Sequence, residues 1–295
     1  MQQDATVAIC FLNINEMGEM AHTSIQSALD ATDCDIFIGT DIDVEVVGYI
    51  FPSNPRIHYV QLKISNDLSN TDNRLYQDFN SDLFYQIVLY KWQLIKRMLE
   101  MDFDYVIYSD TDVYWNRNPV SDLLLSFKRD ESKEILIQDA TLLAGEIRLC
   151  MGFVAIRNSD ESVALISKAN TLHIEMSGSR DRVGDDDVIS EMYRETEVHR
   201  IVGRLPQISY PVGVFLNLYT SQDSFPGLRA PAPFIFHANF TIGLSRKYLL
   251  MRRFCSGRGP GRFSRYSVKM FAFLLYLRLR LVLGRFKRRV EGIGN

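Results

Sequence analysis

The chain lacks any uninterrupted apolar run of the roughly 20 residues that a membrane-spanning helix requires, so a polytopic membrane protein is excluded. Cysteine is scarce: Cys10, Cys34, Cys150 and Cys255 are scattered, without a CxxC pair or the even dense spacing of a secreted disulfide scaffold. They read as reduced thiols in a cytosolic compartment. The opening residues, MQQDATVAICFLN, have no basic stretch, no long apolar core and no small-residue cleavage site, so export is not expected. Internal repeats and Ser or Cys nucleophile motifs are missing too, and His22, His58, His173 and His199 show no ligand spacing to one another. What is present is apolar material: 46% hydrophobic and 12% aromatic residues in 295 supply one sizeable core and exclude disorder throughout.

A net charge of -3 hides a division of sign. From Arg246 onward the chain holds 14 Lys and Arg and one acid, Glu291, a net +13; the first 245 residues keep 19 basic and 35 acidic residues, a net -16. Such asymmetry points to an anionic partner for the tail alone, either nucleic acid or an anionic membrane surface. The segment Ser256–Arg262, SGRGPGR, breaks any helix and reads as a linker. The expected organisation is a body over 1–255, a linker over 256–265 and a basic tail over 266–295. Within the tail, Val268–Val290 is too short and too interrupted by Arg278 and Arg280 to span a bilayer. It is expected to lie on a membrane, with Phe271, Leu274, Leu277 and Leu281 in the acyl boundary and Arg285, Lys287, Arg288 and Arg289 on the headgroups. The protein is thus placed in the cytoplasm, peripheral at the inner face of the cell membrane, with no nucleic acid partner. A short spanning or re-entrant segment and a helix packed on the acidic body are the alternatives for this segment.

Short branched and aromatic runs alternate with helix-period segments, the pattern of an α/β domain with a mainly parallel sheet. Strands are expected at Thr6–Leu12, Asp35–Gly39, Ile57–Ile64, Tyr105–Ser109, Glu134–Gln138, Met151–Arg157, His199–Gly203 and Pro233–His237. The clearest helix is Ser81–Glu100, where Phe84, Ile87, Val88, Ile95 and Met98 form one stripe. Lys91 lies in the middle of that stripe. It either snorkels to the edge or is steered toward an anionic ligand or a carboxylate near the following strand.

The run YVIYSDTDVYW places Asp110 and Asp112 just after an apolar strand, at the carboxyl edge where open α/β sheets bind ligands. Hard carboxylate oxygens there suit Mg²⁺ or Mn²⁺ and a phosphorylated substrate. A lone DxD is weak, because aspartate also caps turns by bonding its own backbone. The flanks, VIYSDTDVYWNRNP, add an aromatic pair and a proline turn in order.

With these flanks the sequence resembles the nucleotide-diphospho-sugar transferases of GT-A fold, in Asp110, Thr111, Asp112, Trp115, Arg117 and Pro119. ILIQDA with Asp139, MGFVAIRNS with Gly152, GDDDVISEM with Asp185 and FHANFTIGLSRKYLL with His237, Gly243 and Lys247 follow in the family's order. The resemblance implies a Rossmann-like mixed, mainly parallel sheet flanked by helices, followed here by the basic helical tail. It implies a metal site of Asp110, Asp112 and His237, and a donor pocket of Lys91, Asp110, Asp139, Gly152, Gly243 and Lys247. Asp185 and Asp186 become the catalytic candidates. Two positions depart from the pattern: Cys150 stands where the family has Asn, and Asp186 where it has Gln.

The activity so implied is metal-dependent transfer, with retention, from a nucleoside-diphosphate sugar, with uridine the expected base, to a glycan or lipid-linked acceptor. Two other readings of the same residues stand beside it. A DxD phosphohydrolase carries its motif near the N-terminus with Thr or Val where Tyr114 stands here. A catalytically inactive scaffold that binds glycan or nucleotide would keep the fold, and Cys150 favours it.

Overall fold

A computed structural model describes residues 5–14, 18–41, 54–62, 82–141, 146–179, 182–213, 232–239, 247–248 and 251. The expectations for Gly243 and for the linker and tail lie outside these residues.

The strands are β1 (Val7–Leu12), β2 (Asp35–Thr40), β3 (Ile57–Gln61), β4 (Tyr105–Ser109), β5 (Val113–Trp115), β6 (Ile135–Asp139), β7 (Leu149–Arg157), β8 (Val202–Leu205) and β9 (Ile235–His237). The helices are α1 (Glu19–Ala31), α2 (Asp82–Leu99), α3 (Val120–Arg129), α4 (Asp160–Ser179), α5 (Asp185–Met192) and α6 (Thr196–Ile201). Seven strands form one sheet in the order β3-β2-β1-β4-β7-β6-β8, and β5 pairs with β9 in a separate two-stranded sheet. Only β7 runs against its neighbours β4 and β6; the other pairings of the large sheet are parallel. The mixed, mostly parallel architecture read from the sequence is therefore the one observed.

The central strands are buried on both faces, which is why they read as near-continuous apolar runs rather than alternating ones. Alternation still sorts their side chains. Ala8 and Cys10 of β1 join the core under α2, α4 and α5, while Ile9 and Phe11 join the one under α1, α3 and the small sheet. On α2 the stripe packs as its spacing predicts, with Val88, Ile95 and Met98 buried. Beside it, Trp92 Nε1 donates to His173 Nδ1 at 2.8 Å, so the other ring nitrogen carries the proton and meets Val183 O at 2.9 Å. His173 thus stitches α2 and α4 to the chain entering α5, and burial holds its pKa below the usual histidine value.

One expected strand is corrected. Thr196–Ile201 is helical and the strand begins only at Val202. Val198 and Ile201, three apart, both turn to the core, so a helical turn that begins before the expected strand takes its first three residues.

Candidate functional site

β4 ends at Ser109, and the chain turns through Asp110 to Asp112 before pairing as β5. Two serines of α1 hold this turn. Trp115 N donates to Ser27 Oγ at 3.0 Å, and Ser24 Oγ donates to Val113 O, so α1 satisfies backbone groups of a three-residue strand that has one strand neighbour. On its other edge, β5 pairs with β9 in the register Val113↔His237. That pairing, with Ala238 N on Asp112 O at 2.9 Å, delivers His237 to the acid pair.

Asp110, Asp112 and His237 each present one ligand atom within 4.8 Å of the others. His237 Nε2 lies 3.0 Å from Asp112 Oδ1 and 3.9 Å from Asp110 Oδ2. Two carboxylates and an imidazole form a hard, mainly oxygen donor set that fits a divalent cation. Lys247 Nζ also contacts Asp112 Oδ2. Burial alone would raise the Asp112 carboxyl, but Lys247 and His237 outweigh it and hold its pKa far below the carboxylate range.

Lys91 takes the carboxylate alternative. It is 4% exposed, bonded to Asp185 Oδ2, 3.0 Å from Asp110 Oδ1 and 4.9 Å from the Tyr108 ring centroid. Burial disfavours its charge, yet Asp110 and Asp185 raise its pKa well above the usual lysine value. Tyr108 OH donates to Asp110 Oδ1 at 2.8 Å, completing that oxygen's environment.

The register of β6 on β7 slips at Gln138, from Ile137↔Val154 to Gln138↔Cys150. The slip frees a backbone donor of β7 for the site: Met151 N donates to Asp186 Oδ1 at 2.7 Å. On the other edge of β7, Gly152 O accepts from Asp110 N at 2.7 Å and carries the β4 ladder one rung further. Asp186 is half-buried beside Asp185, and the loss of solvent around its carboxyl together with the Asp185 charge raises it to about 7. The folded state keeps a proton there that the unfolded chain releases near pH 4, so this group lowers stability as pH rises from about 4 to about 7. Gly152 has a physical requirement of its own. A Cβ at this position would stand 1.9 Å from His237 Cε1, so the bare backbone is the slot in which the imidazole lies. Cys150, raised by burial and by Asp186 so that it stays a thiol, accepts from Asn239 Nδ2 at 3.2 Å.

Asp139 ends β6 at the same sheet edge, with Thr141 N on Oδ1 at 2.8 Å and Arg204 Nη1 3.3 Å from Oδ2. The structure thus gathers Lys91, Asp110, Asp112, Asp185, His237 and Lys247 through direct contacts, sets Asp186 and Gly152 beside them, and puts Asp139 in an ion pair of its own. Ser24, Ser27, Tyr108 and Gln138 were missed in the sequence. Only the i,i+3 spacing of the two serines on one helix face hinted at any of them.

The large sheet has the mixed, mostly parallel order of a GT-A fold, and its edge carries the Asp110, Asp112 and His237 cluster. Over residues 53–251 the sequence matches the nucleotide-diphospho-sugar transferases, and the chain belongs to that family. Solved structures share the fold at low identity. Mouse xyloside xylosyltransferase 1 is 11% identical, with 81% of this chain and 99% of that one covered at a TM-score of 0.51. The glycosyltransferase GlyE of Streptococcus pneumoniae is 13% identical over 88% of this chain and 67% of its own, TM-score 0.53. The galactosyltransferase LgtC, solved with donor and acceptor sugar analogues, is 13% identical over 83% and 95%, TM-score 0.54. No curated protein matches the chain by sequence.

Proposed function

We propose that the protein transfers a hexose or pentose from a nucleoside-diphosphate sugar, with UDP as carrier, to a glycan or lipid-linked acceptor with retention of configuration, and that Mn²⁺ or Mg²⁺ is required. The observation that carries this reading is the Asp110, Asp112 and His237 cluster flanked by Lys247 and Lys91. The fold relatives named as a xylosyltransferase and a galactosyltransferase support a pentose or hexose donor. A divalent ion held by Asp110, Asp112 and His237 would neutralise charge on the departing diphosphate. Lys247, released from Asp112, adds a point charge to the same phosphates, and Gly243 is assigned to them as well. Asp185 and Asp139 hold the sugar, and Lys91 holds Asp185 and Asp110 in place. Cation-like character grows at the anomeric carbon as the bond to phosphate lengthens. No protein base is assigned: the leaving phosphate takes the acceptor's proton on the same face. The test is release of nucleoside diphosphate from a panel of UDP- and GDP-sugars with and without Mn²⁺. Metal-dependent release from one donor supports the transferase, and silence with no nucleotide binding supports the inactive scaffold.

Asp186 is assigned as an electrostatic stabiliser, or a nucleophile, on the sugar face opposite the leaving group. Asn at this position still accepts from Met151 N, so the backbone contact survives while the charge does not. Turnover of Asp186→Asn is expected to fall at least about 100-fold with the verified donor. Near-normal turnover would remove Asp186 from the reaction.

The basic segment beyond residue 251 is proposed, from its sequence alone, to hold the enzyme at an anionic membrane surface. Among the described residues no helix is long and apolar enough to cross a membrane. The full chain is expected to sediment with vesicles containing anionic lipid, and a chain ending at Cys255 to remain in the supernatant. Equal sedimentation of the two sinks this assignment.

A further inference from the structure

Gln138 looks in the sequence like the last core residue of an apolar strand, yet it is a fully buried amide. Its side-chain nitrogen meets two backbone carbonyls, Tyr210 O at 3.1 Å and Pro211 O at 3.0 Å. Carbonyl oxygens only accept, so the NH₂ end of the amide must face them. Turning the amide over would set its oxygen against two other oxygens and take from Tyr210 O the donor it has here. The carbonyl end therefore has one orientation, toward His237 Nδ1, 2.8 Å away.

That oxygen has no proton to give. A hydrogen bond at this distance consequently requires the imidazole to carry its proton on Nδ1. In the neutral ring the lone pair is then on Nε2, the nitrogen that lies between Asp112 and Asp110. Pro211 O also accepts from His237 N at 3.2 Å, so one peptide anchors both the amide and the backbone of the histidine it orients. Cys150 Sγ, 3.7 Å from Nδ1, is a distant and weak partner by comparison. With the Gly152 slot fixing the ring plane, Gln138 fixes which nitrogen is the donor atom.

We propose that Gln138 is a positioning residue for the cation site: it holds His237 in the Nδ1-protonated form, so that Nε2 is ready to ligate a divalent ion. This rests on the metal site assigned above, but its test reads the ring rather than turnover. Long-range ¹H–¹⁵N correlation spectra of the metal-free full chain at pH 8 report the protonated nitrogen of His237. A proton on Nδ1 is expected in the unaltered protein, and an Nδ1 that carries none overturns the proposal with no variant required. Free-Mn²⁺ electron paramagnetic resonance then gives the ion's affinity for the unaltered chain and for Gln138→Met, which keeps side-chain length without the acceptor. The variant is expected to bind Mn²⁺ about 10- to 100-fold more weakly, the usual effect of losing a metal histidine's partner, and to lose the hydrogen-bonded Nδ1-proton signature. Affinity within twofold of the unaltered chain, in a variant whose thermal transition is retained, overturns it. A chain that shows the tautomer and binds Mn²⁺ yet turns over no donor refutes the transferase reading and leaves this assignment standing.

Discussion

Asp110→Ala/Asp112→Ala is expected to reduce metal-dependent release of nucleoside diphosphate at least about a thousandfold, about 4 kcal/mol of transition-state stabilisation. The size follows from what the two carboxylates do. They supply two of the three clustered ligands, and His237 alone leaves a neutral nitrogen with little hold on a hard ion. The variant also removes the contact of Lys247 with Asp112, so the same chain should bind nucleotide through that lysine while failing to cleave it. Measuring Mn²⁺-dependent hydrolysis and metal-free UDP binding side by side separates the two consequences. Retention of a tenth of the original turnover would remove the DxD pair from catalysis. Unfolding is not expected to confuse the result, because the backbone of this turn is fixed from α1 by Ser24 and Ser27.

Lys91→Met is expected to destabilise the protein by about 3–5 kcal/mol and to abolish turnover, because it leaves the Asp185 and Asp110 carboxylates without the cation between them. For a chain of this size the loss lowers the melting temperature by roughly 10 °C. Lys91 has a folded-state pKa above its unfolded value. Its contribution is therefore complete at neutral pH and fades only in alkali, as pH rises through the folded value. Adding Asp185→Asn to Lys91→Met should restore part of the stability, since the uncompensated buried charge is gone, but none of the turnover. Thermal unfolding of the two single variants and the double variant forms the cycle. A lysine that merely snorkelled would give a loss below about 1 kcal/mol and no coupling to Asp185.

The parts of this molecule that were legible are those in which one physical demand dominates. β4 and β6 are buried on both faces, and YVIY and ILI show it as unbroken apolar runs. The α2 stripe is legible because eighteen residues give its period room to repeat. The site's acids were legible through their order along the chain, matched to a family, since no spacing between Asp112 and His237 is informative on its own. Other features leave no trace in a local pattern. β5 and β9 have three residues each and exist because they pair with one another and because α1 serves one edge. Gln138 sits where a core strand would take an apolar residue, and the reason it is an amide lies on β9 and on the Tyr210–Pro211 carbonyls. The HRIV run was misread as strand because the helical partner of Ile201, Val198, lies just before it, so that within the run only the adjacent Ile201 and Val202 show.

The split of the ligands between β4's exit and β9 has a consequence for how the protein comes into being. A chain emerging N-terminus first can build β1, β2 and β4 long before residue 237 exists, and through that interval Asp110 and Asp112 stand without their histidine. Lys247, 135 residues after Asp112, arrives later still. Any product of interrupted synthesis, or of a cut between α6 and β9, therefore lacks the histidine of the cluster even where most of its sheet is intact. The proposed cation site would double as a certificate that translation ran past β9.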